Sequence, residues 1–85
     1  MTKRKLKPFI GRPVRLTWRD PTGDTGWTRN VHSLTTETCE TVGWILDLNA
    51  RGDVLIAASR NASAEYGDRS TIPSELILLL SLIHI

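Results

Sequence analysis

Arg15, Arg19 and Trp27, and further along the chain Arg60, Tyr66 and Asp68, are the residues whose types and placement suit chemistry on a ligand. Guanidinium groups grip phosphate through paired hydrogen bonds, and an indole or phenol ring stacks on a base or ribose. Arg15 and Arg19 stand in the outward phase of an alternating segment, while Trp27 follows a glycine-containing loop and belongs to no alternation. Arg60, Tyr66 and Asp68 flank a polar loop and offer a cation, a ring and a carboxylate, a set able to read a sugar hydroxyl or an exocyclic amine. The competing reading is a solvated face for the arginines and a lid over the end of the fold for Trp27.

This is the chemistry of recognition rather than of bond making. Catalysis needs a nucleophile beside a base, two convergent carboxylates or an open metal site. Only His32 and His84 supply imidazole, and Gly23 and Gly26 precede neither a lysine nor a helical run, so there is no phosphate loop. His32, Glu37, Cys39 and Glu40 could donate to a metal, but their spacings match no zinc pattern. The expectation is therefore no enzyme, no metal and no cofactor.

Charge narrows the ligand. The formal net charge of +2 conceals a strong asymmetry: Lys3, Arg4, Lys5, Lys7, Arg12, Arg15 and Arg19 precede the first acidic residue, Asp20, and the remainder carries four basic residues against nine acidic ones. A basic leading stretch on an acidic body suggests one face or arm meant for an anion. Residues 1–8 are expected to form that basic arm and residues 9–83 the folded domain. At 85 residues with a single cysteine, Cys39, the chain has a thin core and no internal disulfide, which makes self-association the expected reinforcement. The basic start is broken by Pro8 and Gly11 and does not read as a secretory signal, so a cytoplasmic location in a reducing compartment is expected.

The elements that must position these residues read as short strands. Val14, Leu16 and Trp18 alternate with Arg15, Thr17 and Arg19, the period of a half-buried strand. Residues 20–26 are loop chemistry, and residues 28–36 show no period. Val42, Trp44, Leu46 and Leu48 then alternate, with Gly43 suggesting a bulge or a close backbone approach. Asn49 to Asp53 forms a hairpin loop in which Gly52 supplies the left-handed position, and residues 54–58 follow as a continuous apolar strand. A polar loop leads to a fourth strand ending at Ile72; Pro73, Ser74 and Glu75 make one turn before an apolar final strand. That last run is far shorter than the roughly 20 residues needed to cross a bilayer. The closing Leu-Ser-Leu-Ile-His-Ile resembles a translated sequencing adapter at the end of a metagenomic contig, which would place the last five or six residues outside selection.

These elements describe an all-β fold, a small five-stranded barrel of the SH3-like or Sm-like kind with one short helical turn. Val14, Leu16, Val42, Leu46, Leu55, Ala57, Ile72 and Ile77 are expected inside, with Trp18 and Trp44 in the inward phase as core or subunit contact. Residues 12–20, Gly26 with Trp27, residues 40–46, residues 55–59, and Ile72 with Pro73 resemble small uncharacterised accessory proteins of tailed phages and prophages, over most of residues 11–77. The resemblance implies a phage accessory protein with an Sm-like or SH3-like barrel and brings no catalytic residue; with the thin core, a non-enzymatic, oligomeric binding protein in the host cytoplasm is expected. Two functions follow from it: sequestering a small anionic nucleotide signal of antiviral defence, or capping a host protein. A structural phage component and a nucleic-acid-binding module are the further alternatives.

Overall fold

The computed structural model describes residues 1–21, 26–32 and 34–84. A single helical turn, α1 (Lys3–Leu6), runs into a 3-10 turn over Lys7–Phe9. Five strands follow: β1 (Pro13–Asp20), β2 (Glu37–Leu48), β3 (Asp53–Arg60), β4 (Tyr66–Pro73) and β5 (Ile77–Leu82), with a 3-10 turn over Ser74–Leu76 before the last. They make one antiparallel sheet in the order β4-β3-β2-β1-β5, so β1 to β4 meander and β5 returns to the free side of β1. The sheet is not closed: β4 and β5 are its two edges, each hydrogen-bonded on one side only.

Two register shifts bend it. Between Ile45 and Asp47 β2 advances two residues while β3 advances one, which makes Leu46 the extra residue. Between Leu79 and Ile77 β5 does the same against Thr17 and Trp18, with Leu78 as the insertion. Bulges of this kind sharpen the local twist and curve a sheet over its core.

The concave side holds Val14 and Leu16 from β1, Ile45 from β2, Val54 and Ile56 from β3, Ile72 and Ile77, and Leu6 from α1, all buried. Three residues of β2 and β3 expected inside are not in this core. Val42 is 54% exposed, and Leu46 and Leu55 are only half-buried. The inward residues of β2 are Gly43 and Ile45, because β3 passes so close to Gly43 that a side chain there would strike Ala57. The larger residues Val42, Trp44 and Leu46 therefore take the opposite face. Trp18 does turn toward the core, packing on it while its indole N–H donates to Thr41 Oγ1 at 2.9 Å.

The basic start of the chain is docked. Leu6 is fully buried, and the terminal ammonium donates to the carbonyls of Ser74 (2.7 Å) and Ile77 (3.1 Å). At the other end of the β1–β2 pair Asp20 stands opposite Glu37, and the molecule extends 52 Å along its long axis. Its radius of gyration of 15.2 Å exceeds the about 12 Å of a compact chain this long.

Candidate binding face

The convex face of the sheet gathers the polar and aromatic groups. Residues directly opposite in an antiparallel pair share a face. Trp44 lies opposite Pro13 on one side and Ala57 on the other, and Ala57 lies opposite Arg69, so one row crosses four strands. The next row on the β1 side sets Arg15 against Val42, which makes Arg15 a diagonal neighbour of Trp44. Tyr66 joins from the edge strand, its ring tilted by 59° against Trp44 with centroids 6.3 Å apart. The Arg60 guanidinium sits 5.8 Å from the centre of the Tyr66 ring, within cation–π reach.

The backbone reasons for this gathering lie in the β3–β4 hairpin. Arg60 pairs with Tyr66 at the last rung, so the tight turn brings the cation and ring together. Asn61 Oδ1 accepts from the N–H groups of Ser63 (3.0 Å) and Glu65 (2.9 Å), and its amide donates to Glu65 Oε1 (3.1 Å), which fixes the turn. Asp68 has φ of 52°, a left-handed value inside a strand, and its Oδ2 accepts from Ser59 Oγ at 2.5 Å. Open grooves lie to either side of Tyr66. One, of about 650 Å³, runs along Leu55, Asp68, Arg69 and Thr71, and the other, of about 340 Å³, lies between Arg60, Asn61 and Glu65. Neither Arg60 nor Arg69 makes an ion pair among the described residues, so both guanidinium groups can accept an anion.

Of the six residues singled out from the sequence, Arg60 and Tyr66 come into contact, Asp68 stands two residues further along β4 and is held by Ser59, and Arg15 is a diagonal neighbour of Trp44. Arg19 shares the exposed side of β1 but stands four residues further along, about 13 Å from Arg15 at the usual rise of a strand. Trp27 is fully exposed in the connecting segment, where Thr28 and Arg29 share its shallow depression. The structure does not bring Trp27 onto either arginine.

Two members of the face were missed. The sequence places Trp44 in the inward phase and gives Arg69 no mark that distinguishes it within its strand. The signal for Trp44 was Gly43: in a strand with one close backbone approach, the glycine marks the crowded face and its neighbours take the other.

Remaining titratable groups lie elsewhere. Cys39 is half-buried opposite Trp18; partial desolvation first, then the Asp20 and Glu37 carboxylates, push its thiol above the ordinary range. His32 is exposed, with its backbone N–H donating to Asn30 Oδ1 at 3.2 Å. Among the described residues no three of His, Cys, Asp and Glu gather closely enough to hold a metal ion. No helix among them is long and apolar enough to cross a membrane. No family model, curated protein or solved structure matches the chain.

Proposed function

We propose that the protein is a non-enzymatic binding protein whose convex sheet face holds a small anionic ligand of the nucleotide class. The observation that carries this reading is the continuous contact from Arg60 through Tyr66 to Trp44, with Arg69 and Arg15 on the same face. The Trp44–Tyr66 pair supplies aromatic surface on which a base can stack, and guanidinium groups without carboxylate partners among the described residues supply the phosphate contacts. Asp68, held by Ser59, is the acceptor for a ribose hydroxyl or an exocyclic amine.

The finer fold reading goes with it. The strand order, the 3-10 turn before β5 and the two bulges support an SH3-like or Sm-like barrel, to be completed by association of copies through the free edges β4 and β5. In the phage setting that the sequence resemblance implies, the assembly would act in the host cytoplasm as a sponge for a nucleotide signal of antiviral defence. A second reading, a cap on a host protein, rests on the exposed Leu78 and Leu79 of β5.

Thermal shift with cyclic and linear dinucleotides and ADP-ribose tests the first reading. A ligand at 100 times its Kd adds about 2.7 kcal/mol to stability. Tyr66→Ala and Arg60→Ala are expected to abolish the shift while Arg19→Ala leaves it. If no nucleotide raises the melting temperature of the wild-type protein, the reading fails.

A further inference from the structure

A second basic site lies at the C-terminal end of β2, where it meets α1, and shares no lining residue with the aromatic pair. Lys3, Arg4 and Lys7 fall at positions i, i+1 and i+4, which a helical turn places on one side. They line a groove of about 450 Å³ whose remaining walls are Ile10, Leu48 and Asp47. The sequence alone reads this stretch as a basic arm, and the structure holds its backbone against the sheet. Leu6 is buried in the core, Thr2 Oγ1 accepts from the N–H of Lys5, and the Lys3 methylenes lie against Gly52 in the β2–β3 turn.

The charges in this groove are uncompensated. Among the described residues Lys3, Arg4 and Lys7 make no ion pair. Asp47, the one carboxylate in the wall, turns an oxygen back to accept from the Leu48 N–H at 2.8 Å. Like charges three and four residues apart on one side of a helical stretch repel, and no acidic residue lies within this turn. An anion that bridges the three cations removes this repulsion, so the folded protein gains from binding it.

We infer that this groove binds a compact polyphosphate group, recognised by charge and not by a base. Two ammonium groups and one guanidinium fork match the oxygens of adjacent phosphates. The groove contains no aromatic ring, so nothing there stacks on a base. Its cations converge on one concavity, and Arg12, Arg15 and Arg19 lie outside its lining, which favours a short phosphate chain over a polymer tracking across the surface.

Isothermal titration with inorganic tripolyphosphate, at ionic strength matched with sodium chloride, tests the site with a probe that has no ring. Lys3→Ala, Arg4→Ala and Lys7→Ala are each expected to weaken binding about tenfold, as loss of a charge-assisted contact does. Arg60→Ala and Tyr66→Ala should leave it unchanged, which separates this site from the convex face. All three cations are exposed, and a circular dichroism melt of each variant verifies folding. Absence of binding to the wild-type protein overturns the inference. So does equal weakening by Arg19→Ala, which would mean diffuse surface charge. A single-stranded oligonucleotide binding tenfold tighter than tripolyphosphate through the same residues would overturn the compact ligand in favour of a polymer.

Discussion

Gly43 decides which way the most informative side chain of β2 points. A methyl group there would clash with the carbonyl oxygen of Ala57 and stand 2.9 Å from its carbonyl carbon. Backbone cannot yield as the end of a side chain can, so Gly43→Ala is expected to cost about 3 kcal/mol, at the upper end of overpacking effects. Urea denaturation reads this directly, and a loss under about 1 kcal/mol would mean that β2 and β3 separate more easily than their pairing indicates. The same contact explains why Trp44 was hard to place. By size alone Val42, Trp44 and Leu46 look like the buried set, and Gly43 and Ile45 like the exposed one. Inside a sheet this small, Ile45, Val54 and Ile56 already fill the space, and the volume left beside β3 admits only a hydrogen atom at position 43. Close packing across strands overrode the size pattern along one strand.

At the scale of elements, the two hairpins of the meander share one construction. In the β2–β3 turn, Asn49 Oδ1 accepts from the N–H groups of Arg51 (3.0 Å) and Asp53 (2.9 Å), and its amide donates to Asp53 Oδ2 (3.1 Å). In the β3–β4 turn Asn61 makes the equivalent bonds to Ser63 and Glu65. Each turn has a left-handed residue just before the acidic one: Gly52 at φ 88° and Ala64 at φ 60°. Glycine reaches that region freely and alanine is strained in it. Ala64→Gly is therefore expected to stabilise the protein by about 0.5–1 kcal/mol, measured as a higher urea midpoint with an unchanged slope. A lower midpoint would show that the turn relaxes the strain in another way. The first turn was legible from sequence because Gly52 announced it. Its twin is not, because Ala64 carries no such mark, so the sequence shows only a polar loop into which both strands in fact extend. The terminal turn at Ser74 and the strand alternation of β1 were legible for the same reason as Gly52: proline and strict period two have few alternative conformations.

The whole molecule has one polar edge and one apolar edge. β4 presents Tyr66, Asp68, Arg69 and Thr71, and β5 presents Leu78 and Leu79, both exposed. On the proposed assembly, the β4 edge of one copy receives the β5 edge of the next, and each copy supplies one of each. Leu79→Lys, a change at a residue 64% exposed that leaves the core untouched, is expected to give a monomer by light scattering while the wild-type protein is larger. A wild-type monomer would remove the assembly and leave the binding face to a single chain. The basic start of the chain was legible as a cluster but not as a docked groove, since nothing in its pattern revealed that the isolated Leu6 would seat in the core. The insertions at Leu46 and Leu78 carry a consequence for any such assembly. They bend the sheet between its two outer strands, and in a head-to-tail assembly of the proposed kind that bend would set how many copies complete a turn.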